Sequence, residues 1–124
     1  MELRENYKNL CVKFFSLMNS CDFAQMPEFL HDDASFDFPG TKTIEGKKRI
    51  VLFLTAMTRK YKNLKFDILH ILVDEDKACV VWKNSASEPN GNQYRNSGIS
   101  FFRFKDSKID YISDYFKDTS FTTN

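Results

Sequence analysis

Residues 98–116 read G-I-S-F-F-R-F-K-D-S-K-I-D-Y-I-S-D-Y-F. Two stretches rich in aromatic and β-branched residues meet at Asp106-Ser107, so Asn92–Lys105 and Lys108–Lys117 are predicted to pair as a closing antiparallel hairpin. Side chains alternate across a strand, which puts Asp114 on the side of Ile112 and Phe116. An acid sharing a face with two large hydrophobes belongs to a sheet rim or to a cavity. A carboxyl group in a cavity has a raised pKa and is a candidate for proton chemistry. The register stays open: a two-residue turn sets Asp114 beside Ile99, and a three-residue turn moves it toward Ser100 and Phe102. The other face carries Tyr111, Ser113 and Tyr115, and Ile99 and Phe101 alternate with Ser100 and Phe102. Both sides of the sheet therefore bear large apolar groups; one covers the helices, and a second copy of the chain is the simplest cover for the other.

Working back from this hairpin, Glu88-Pro89-Asn90-Gly91 is a second hairpin signal. Ala78–Ser85 is a strand, and a tight acidic turn at Asp74–Lys77 joins it to another in which Phe66, Ile68, His70 and Leu72 alternate with Asp67, Leu69, Ile71 and Val73. Ile50, Phe53, Leu54, Met57 and Tyr61 form a helical stripe after a turn at Glu45-Gly46. A brief strand over Ser35–Phe38 is stopped by Pro39 and Gly40. Asp22, with Gln25 three residues on, resembles a capping box that opens a short helix carrying Phe23, Met26, Phe29 and Leu30, shortened or kinked by Pro27. Leu3, Tyr7, Leu10, Cys11, Phe14, Leu17, Met18 and Cys21 mark one face of a long first helix. The predicted class is α+β: three helices, and a curved antiparallel sheet wrapped around the long N-terminal helix as a cone whose open end is a natural pocket.

At 124 residues the chain is expected to be one domain over 1–124, burying roughly two-thirds of its extended-chain surface. Thirteen phenylalanines supply a core and leave rings over for a cavity or an interface. Eighteen basic residues stand against 17 acidic ones, and the run Lys47, Lys48, Arg49 is short, so no nucleic-acid partner is expected. Cys11, Cys21 and Cys79 are odd in number and show no paired spacing, and no apolar signal segment with a cleavage site opens the chain. The cytoplasm is therefore the expected compartment. With only His31 and His70 and no H-x-x-H or C-x-x-C spacing, no built-in metal site is expected. The longest apolar run is too short for a membrane span.

The segments F-L-H-D-D-A-S-F-D-F-P-G, I-E-G-K-K-R-I, V-V-W and the closing hairpin, in this order over nearly the whole chain, resemble the SnoaL-like branch of the nuclear-transport-factor-2-like superfamily. That superfamily includes polyketide cyclases and ketosteroid isomerases. Their succession is specific for the fold and poorly specific for the activity. The resemblance places Phe38 where the isomerases carry a general-base Asp, Phe14 where they carry an oxyanion-stabilising Tyr, and Ser100 where they carry a second acid. An enolate oxygen would meet no donor there except Ser100, which argues against ketosteroid isomerisation. The cyclases are closer, because in several of them a pocket acid works in acid/base chemistry, and Asp114 is its counterpart by this resemblance.

The reading that results is a small-molecule-binding protein with an apolar, aromatic-lined pocket, acting on a small apolar or carbonyl-bearing compound by acid/base chemistry of the cyclase or isomerase type. Its alternative is a non-catalytic binding or dimerisation module. Asp114 is the candidate acid/base; it could equally be a rim carboxylate bonded to a backbone amide, Arg95 or Arg103. His70 would face inward if Asp67 points to solvent, and a three-residue turn after Asp74 would set it opposite Trp82, as a proton relay or as a core histidine. Trp82 is expected in the pocket wall, Asn96 and Tyr94 as orienters of a ligand carbonyl or as residues near a surface turn, and Ser100, Phe14, Phe38 and Phe116 as further pocket residues. His31 fits a helix end better than catalysis. Chemistry of this kind requires no cofactor.

Overall fold

The long first helix stops because its last turn is closed by backbone hydrogen bonds before a second helix can start. A computed structural model describes residues 2–122. In it α1 spans Glu2–Ser20, and Cys21 follows with φ 55°. The Cys21 N–H donates to the Met18 carbonyl at 3.2 Å and the Asp22 N–H to the Leu17 carbonyl at 3.0 Å, the paired bonds of a left-handed helix cap. Asp22 thus belongs to the end of α1 and does not start a helix of its own. The expected capping box does not form: Gln25 Nε2 donates to the Asp22 carboxylate at 2.6 Å, side chain to side chain. Of the expected short helix there is only a 3-10 turn, Met26–Phe29. Pro27 is tolerated in a first turn but cannot extend one, and the Leu30 N–H closes back on the Pro27 carbonyl as a strand begins. Among the described residues there are therefore two α-helices, not three, although Met26 and Leu30 are fully buried as their apolarity requires.

The remaining elements are β1 (Leu30–Asp37), β2 (Ile44–Glu45), α2 (Lys47–Lys60), β3 (Lys62–Asp74), β4 (Lys77–Ser87), β5 (Gln93–Lys105), β6 (Lys108–Phe116) and a final 3-10 turn, Ser120–Thr122. The six strands make one sheet in the order β2-β1-β6-β5-β4-β3. From β3 to β6 it is the expected antiparallel meander. The first strand is longer than Ser35–Phe38 and pairs in parallel with β6, with Phe36 beside Ile112 and Asp37 beside Ser113. A parallel pair needs a long crossover, and here the crossover is everything between the first and last strands. The two-residue β2 runs into the turn expected at Glu45-Gly46 and is too short to show a period.

Two bulges decide which side chains reach the inner face. Asp106 and Ser107 both have positive φ, and Lys105 pairs with Lys108, a two-residue turn. That turn alone would set Asp114 beside Ile99. The register then slips, with Phe104 opposite Ile109 but Arg103 opposite Tyr111, which leaves Asp110 as an extra residue and brings Asp114 opposite Ser100. In β3, Ile68 pairs with Trp82 and His70 with Val81, so Leu69 is the extra residue. Beyond it the alternation changes parity: Ile71 and Val73 pack on the core, while Leu72 is exposed.

Both helices cover one face of the sheet. Tyr7 of α1 stacks on Phe104 at 4.3 Å between centroids, Phe14 meets Phe102 edge-on at 5.5 Å, and Phe15 meets Phe66 at 5.3 Å. Asn19 at the end of α1 accepts from the Phe66 N–H at 2.7 Å and donates to the Phe66 carbonyl at 3.0 Å. It thereby satisfies backbone groups on β3, a strand at the sheet edge.

Candidate functional site

A chain of three side chains crosses the buried floor of the sheet. Trp82 on β4 has no solvent exposure, and its Nε1–H donates to Ser100 Oγ on β5 at 2.9 Å. Ser100 Oγ in turn donates to Asp114 Oδ1 on β6 at 2.6 Å. The direction is forced, because an indole N–H can only donate. Ser100 accepts from it and turns its own proton to Asp114, so Oδ1 is an acceptor in either protonation state. A proton on Asp114 then sits on Oδ2, which no described protein group engages. Asp114 is half-buried as a residue, with its carboxyl hemmed in by protein. Burial pushes it from an ordinary 3.8 up to about 7, against the lowering effect of the Ser100 hydrogen bond. Asp37 on the neighbouring β1 shows the contrast: the hydroxyls of Thr43 and Tyr111 donate to it and hold its carboxyl below the usual range. Two acids on paired strands are thus driven in opposite directions by their surroundings.

Beside this chain, between α2, the inner face of the sheet and the C-terminal turn, lies a cavity of about 340 Å³. Seven of its sixteen lining residues are aromatic. Phe38 packs on Phe53 at 5.0 Å and on Phe116 at 5.3 Å, Phe116 on Phe121 at 4.9 Å, and Tyr61 on Tyr94 at 5.0 Å. Trp82 stands behind the lining, held edge-to-face between two of its rings, Phe66 at 5.1 Å and Phe116 at 5.0 Å. Asp114 is not in the lining either; it lies one inward-facing position along β6 from Phe116. Among the described residues, no three His, Cys, Asp or Glu side chains gather as a metal-holding group.

Of the residues singled out from the sequence, Phe38, Tyr94 and Phe116 line the cavity. Trp82, Ser100 and Asp114 form the hydrogen-bonded chain beside it. Phe14 is buried against Phe15 and Phe102, away from the lining. Asn96 has other employment: its Nδ2 donates to Tyr94 Oη and to the Asp118 carbonyl, both at 2.8 Å, and its Oδ1 accepts the Ser97 and Asp118 N–H groups. That amide is fully used in tying down the chain end that carries Phe121. His70 does not face inward. The Leu69 bulge turns it to the exposed side, opposite Val81 and not Trp82, and it does not join the site. Neither Arg95 nor Arg103 contacts Asp114; Arg103 pairs with Asp110 at 3.0 Å. His31 lies in β1, 3.4 Å from Asp106, rather than at a helix end.

Among the lining residues not singled out from the sequence are Phe121, Thr122 and Asn84. Phe121 and Thr122 follow the last strand in a stretch with no periodicity to read. Asn84 was legible in principle, since it lies two residues after Trp82 on β4 and must share its face. It is 7 % exposed and lines the cavity, and its Oδ1 has no protein partner among the described residues.

A sequence model of the SnoaL-like domain matches residues 12–112 of this chain. No curated protein sequence matches it. Among solved structures, a candidate SnoaL-like polyketide cyclase from Jannaschia sp. CCS1 is similar with a TM-score of 0.87 at 11 % identity, covering 94 % of this chain and 89 % of that one. A candidate polyketide cyclase from Xanthomonas campestris pv. campestris is similar with a TM-score of 0.84 at 21 % identity, covering 91 % of each. AclR, a candidate hydroxylase from Streptomyces galilaeus, gives a TM-score of 0.79 at 16 % identity, covering 94 % of this chain and 81 % of that one. At these identities the similarity is one of fold.

Proposed function

Because this chain belongs to the SnoaL-like domain family and has its nuclear-transport-factor-2-like fold, we propose that it binds a small, largely apolar, carbonyl-bearing molecule in the aromatic cavity. Asp114 moves a proton on that molecule. The observation that carries this reading is the directed chain Trp82 to Ser100 to Asp114, which leaves Oδ2 as the proton-carrying oxygen of an acid that titrates near neutrality. As carboxylate, Oδ2 takes a proton from carbon next to the substrate carbonyl; as acid, it returns one to carbon or oxygen. Net isomerisation or ring closure follows, with the proton count unchanged. Phe116, which lines the cavity, stands one inward-facing position from Asp114 on β6. Neighbours of this fold described as cyclases and as a hydroxylase support a small organic substrate and leave its identity open.

A thermal-shift panel of compact aromatic and keto compounds tests the binding half. A compound at about 100 times its dissociation constant stabilises the native state by about 2.7 kcal/mol, a Tm rise on the order of 10 °C. The binding reading is wrong if no member of a broad panel at millimolar concentration moves the melting curve.

A second reading, dimerisation through the outer sheet face, is favoured by the apolar groups exposed there. Val81, Ile99 and Tyr115 lie in one row across β4, β5 and β6, and Leu72, Cys79 and Phe101 in the next. Leu72 is 66 % exposed, Ile99 40 % and Tyr115 62 %, a contiguous patch of the kind that copies of a chain cover for one another. Sedimentation velocity is expected to show a dimer for the wild type and a monomer for Tyr115→Lys. A wild type that stays monomeric at micromolar concentration removes the dimer.

A further inference from the structure

We infer that Asn84 is the specificity residue of the cavity, and that it selects ligands carrying a hydroxyl or N–H group on an otherwise apolar ring system. The inference rests on the reading that the cavity holds a small molecule and adds the chemistry that molecule must bring.

A buried amide oxygen without a hydrogen bond is costly. Withdrawing it from water removes its solvation with nothing in return, and native proteins carry few such groups. Asn84 sits on β4 between Trp82, which is fully buried, and Ala86, which is nearly so, on the face the sequence devotes to apolar side chains. A leucine there would continue the pattern of the strand. The asparagine instead brings a polar side chain to the wall of a cavity that Phe53, Met57, Leu64, Phe66 and Phe116 also line. No described side chain answers its oxygen. Two other polar side chains nearby are already engaged. Asn96, its cross-strand partner, is committed to Tyr94 and the chain end, and Ser100 is committed to Trp82 and Asp114.

Such a group does little for the folded protein and much for recognition. A site that offers a buried acceptor binds a ligand that supplies the matching donor. It rejects the isostere that lacks one, because the oxygen is then sealed off unpaired. Aromatic walls select a flat, compact skeleton, and Asn84 selects the donor on it. Phenols, enols and ring N–H compounds fit this description, while the corresponding hydrocarbons and methyl ethers do not. An enol or phenol is also the chemical partner that a proton-transferring acid one inward-facing position along β6 from Phe116 would handle.

The test compares 2-naphthol with 2-methylnaphthalene, which differ by hydroxyl against methyl in nearly the same shape. Wild-type protein is expected to bind 2-naphthol about tenfold or more tightly. Asn84→Leu is expected to bind the two alike, by loss of 2-naphthol affinity with 2-methylnaphthalene unchanged or improved. Its Tm without ligand should be equal to or above that of the wild type. Asn84→Ala gives the same comparison if leucine is not accommodated. A hydroxyl preference that persists in both variants, or a wild type that binds both probes equally, overturns the inference and leaves the cavity reading standing. A wild type that binds neither probe overturns the inference, and the cavity reading falls with it only if the broad panel also leaves the melting curve unmoved.

Discussion

An Asp114→Asn variant should be more stable than the wild type at pH 8, match it near pH 4, and lose turnover while still binding ligand. The sign follows from burial. Below about pH 4 the Asp114 carboxyl is protonated in both the folded and the unfolded chain. Between about pH 4 and about pH 7 the unfolded chain releases the proton and the folded protein keeps it, so stability falls as pH rises. Above about pH 7 both states are ionised and the loss stays constant. Each decade of that window is worth about 1.4 kcal/mol, so the whole is on the order of 4 kcal/mol. Asparagine keeps the shape and an oxygen for Ser100 to donate to, but it has no charge to bury. Asp32, Asp37, Asp76 and Asp118 do not confuse the result. Their hydrogen bonds hold them below the ordinary range, so their contributions are lost only as pH falls on the acid side of the window. Urea unfolding of both proteins across pH 4 to 8 measures the difference directly. Parallel curves would mean that the carboxyl is well solvated and would remove Asp114 as the acid. Retained turnover in the variant would remove it from the chemistry, and a protein that binds ligand equally in both forms with no turnover in either is a binding module.

What the sequence disclosed and what it hid divide along a physical line. Properties set by alternation within one strand were legible: the side of β6 that carries Asp114 with Ile112 and Phe116 followed from period two alone. Properties set by pairing between strands were not. A single extra residue at Asp110 decided whether Asp114 faces Ile99 or Ser100, and a single extra residue at Leu69 turned His70 from the core to the exposed side. No local composition signals either bulge, because each is fixed by fit to the neighbouring strand. The false helix at Asp22 has a different origin. The capping-box pattern was present, but the preceding helix had already engaged that backbone in its own closure. Phe121 escaped because a three-residue turn carries no periodicity, although the side chain it adds completes one wall of the cavity.

Gly98→Ala is expected to be among the most damaging single substitutions in the chain, by several kcal/mol of stability. Gly98 lies on β5 between Trp82 on β4 and Phe116 on β6. A methyl group built on it would sit 2.2 Å from the Tyr115 carbonyl oxygen, 2.9 Å from Trp82 Cη2 and 3.0 Å from Trp82 Cζ2. Overpacking a core ordinarily costs about 1–3 kcal/mol, because side chains shift to new rotamers. Here the nearest obstacle is backbone, which can withdraw only by opening the β5–β6 ladder. The indole cannot swing aside either, since Phe66 and Phe116 hold its two sides. Any retreat of the ring lengthens the Nε1 bond to Ser100, and with it the chain that orients Asp114. The protein has one tryptophan, so its emission reports that displacement without labelling. A red-shifted native spectrum and a lowered urea midpoint are expected together. Adding Trp82→Phe removes the ring clash but leaves the carbonyl clash, so the double variant should regain only part of the loss. A Gly98→Ala protein with wild-type stability and emission would mean that β5 and β6 lie further apart at this point than the carbonyl distance requires, and that the close strand approach beneath Trp82 does not set the geometry of the site.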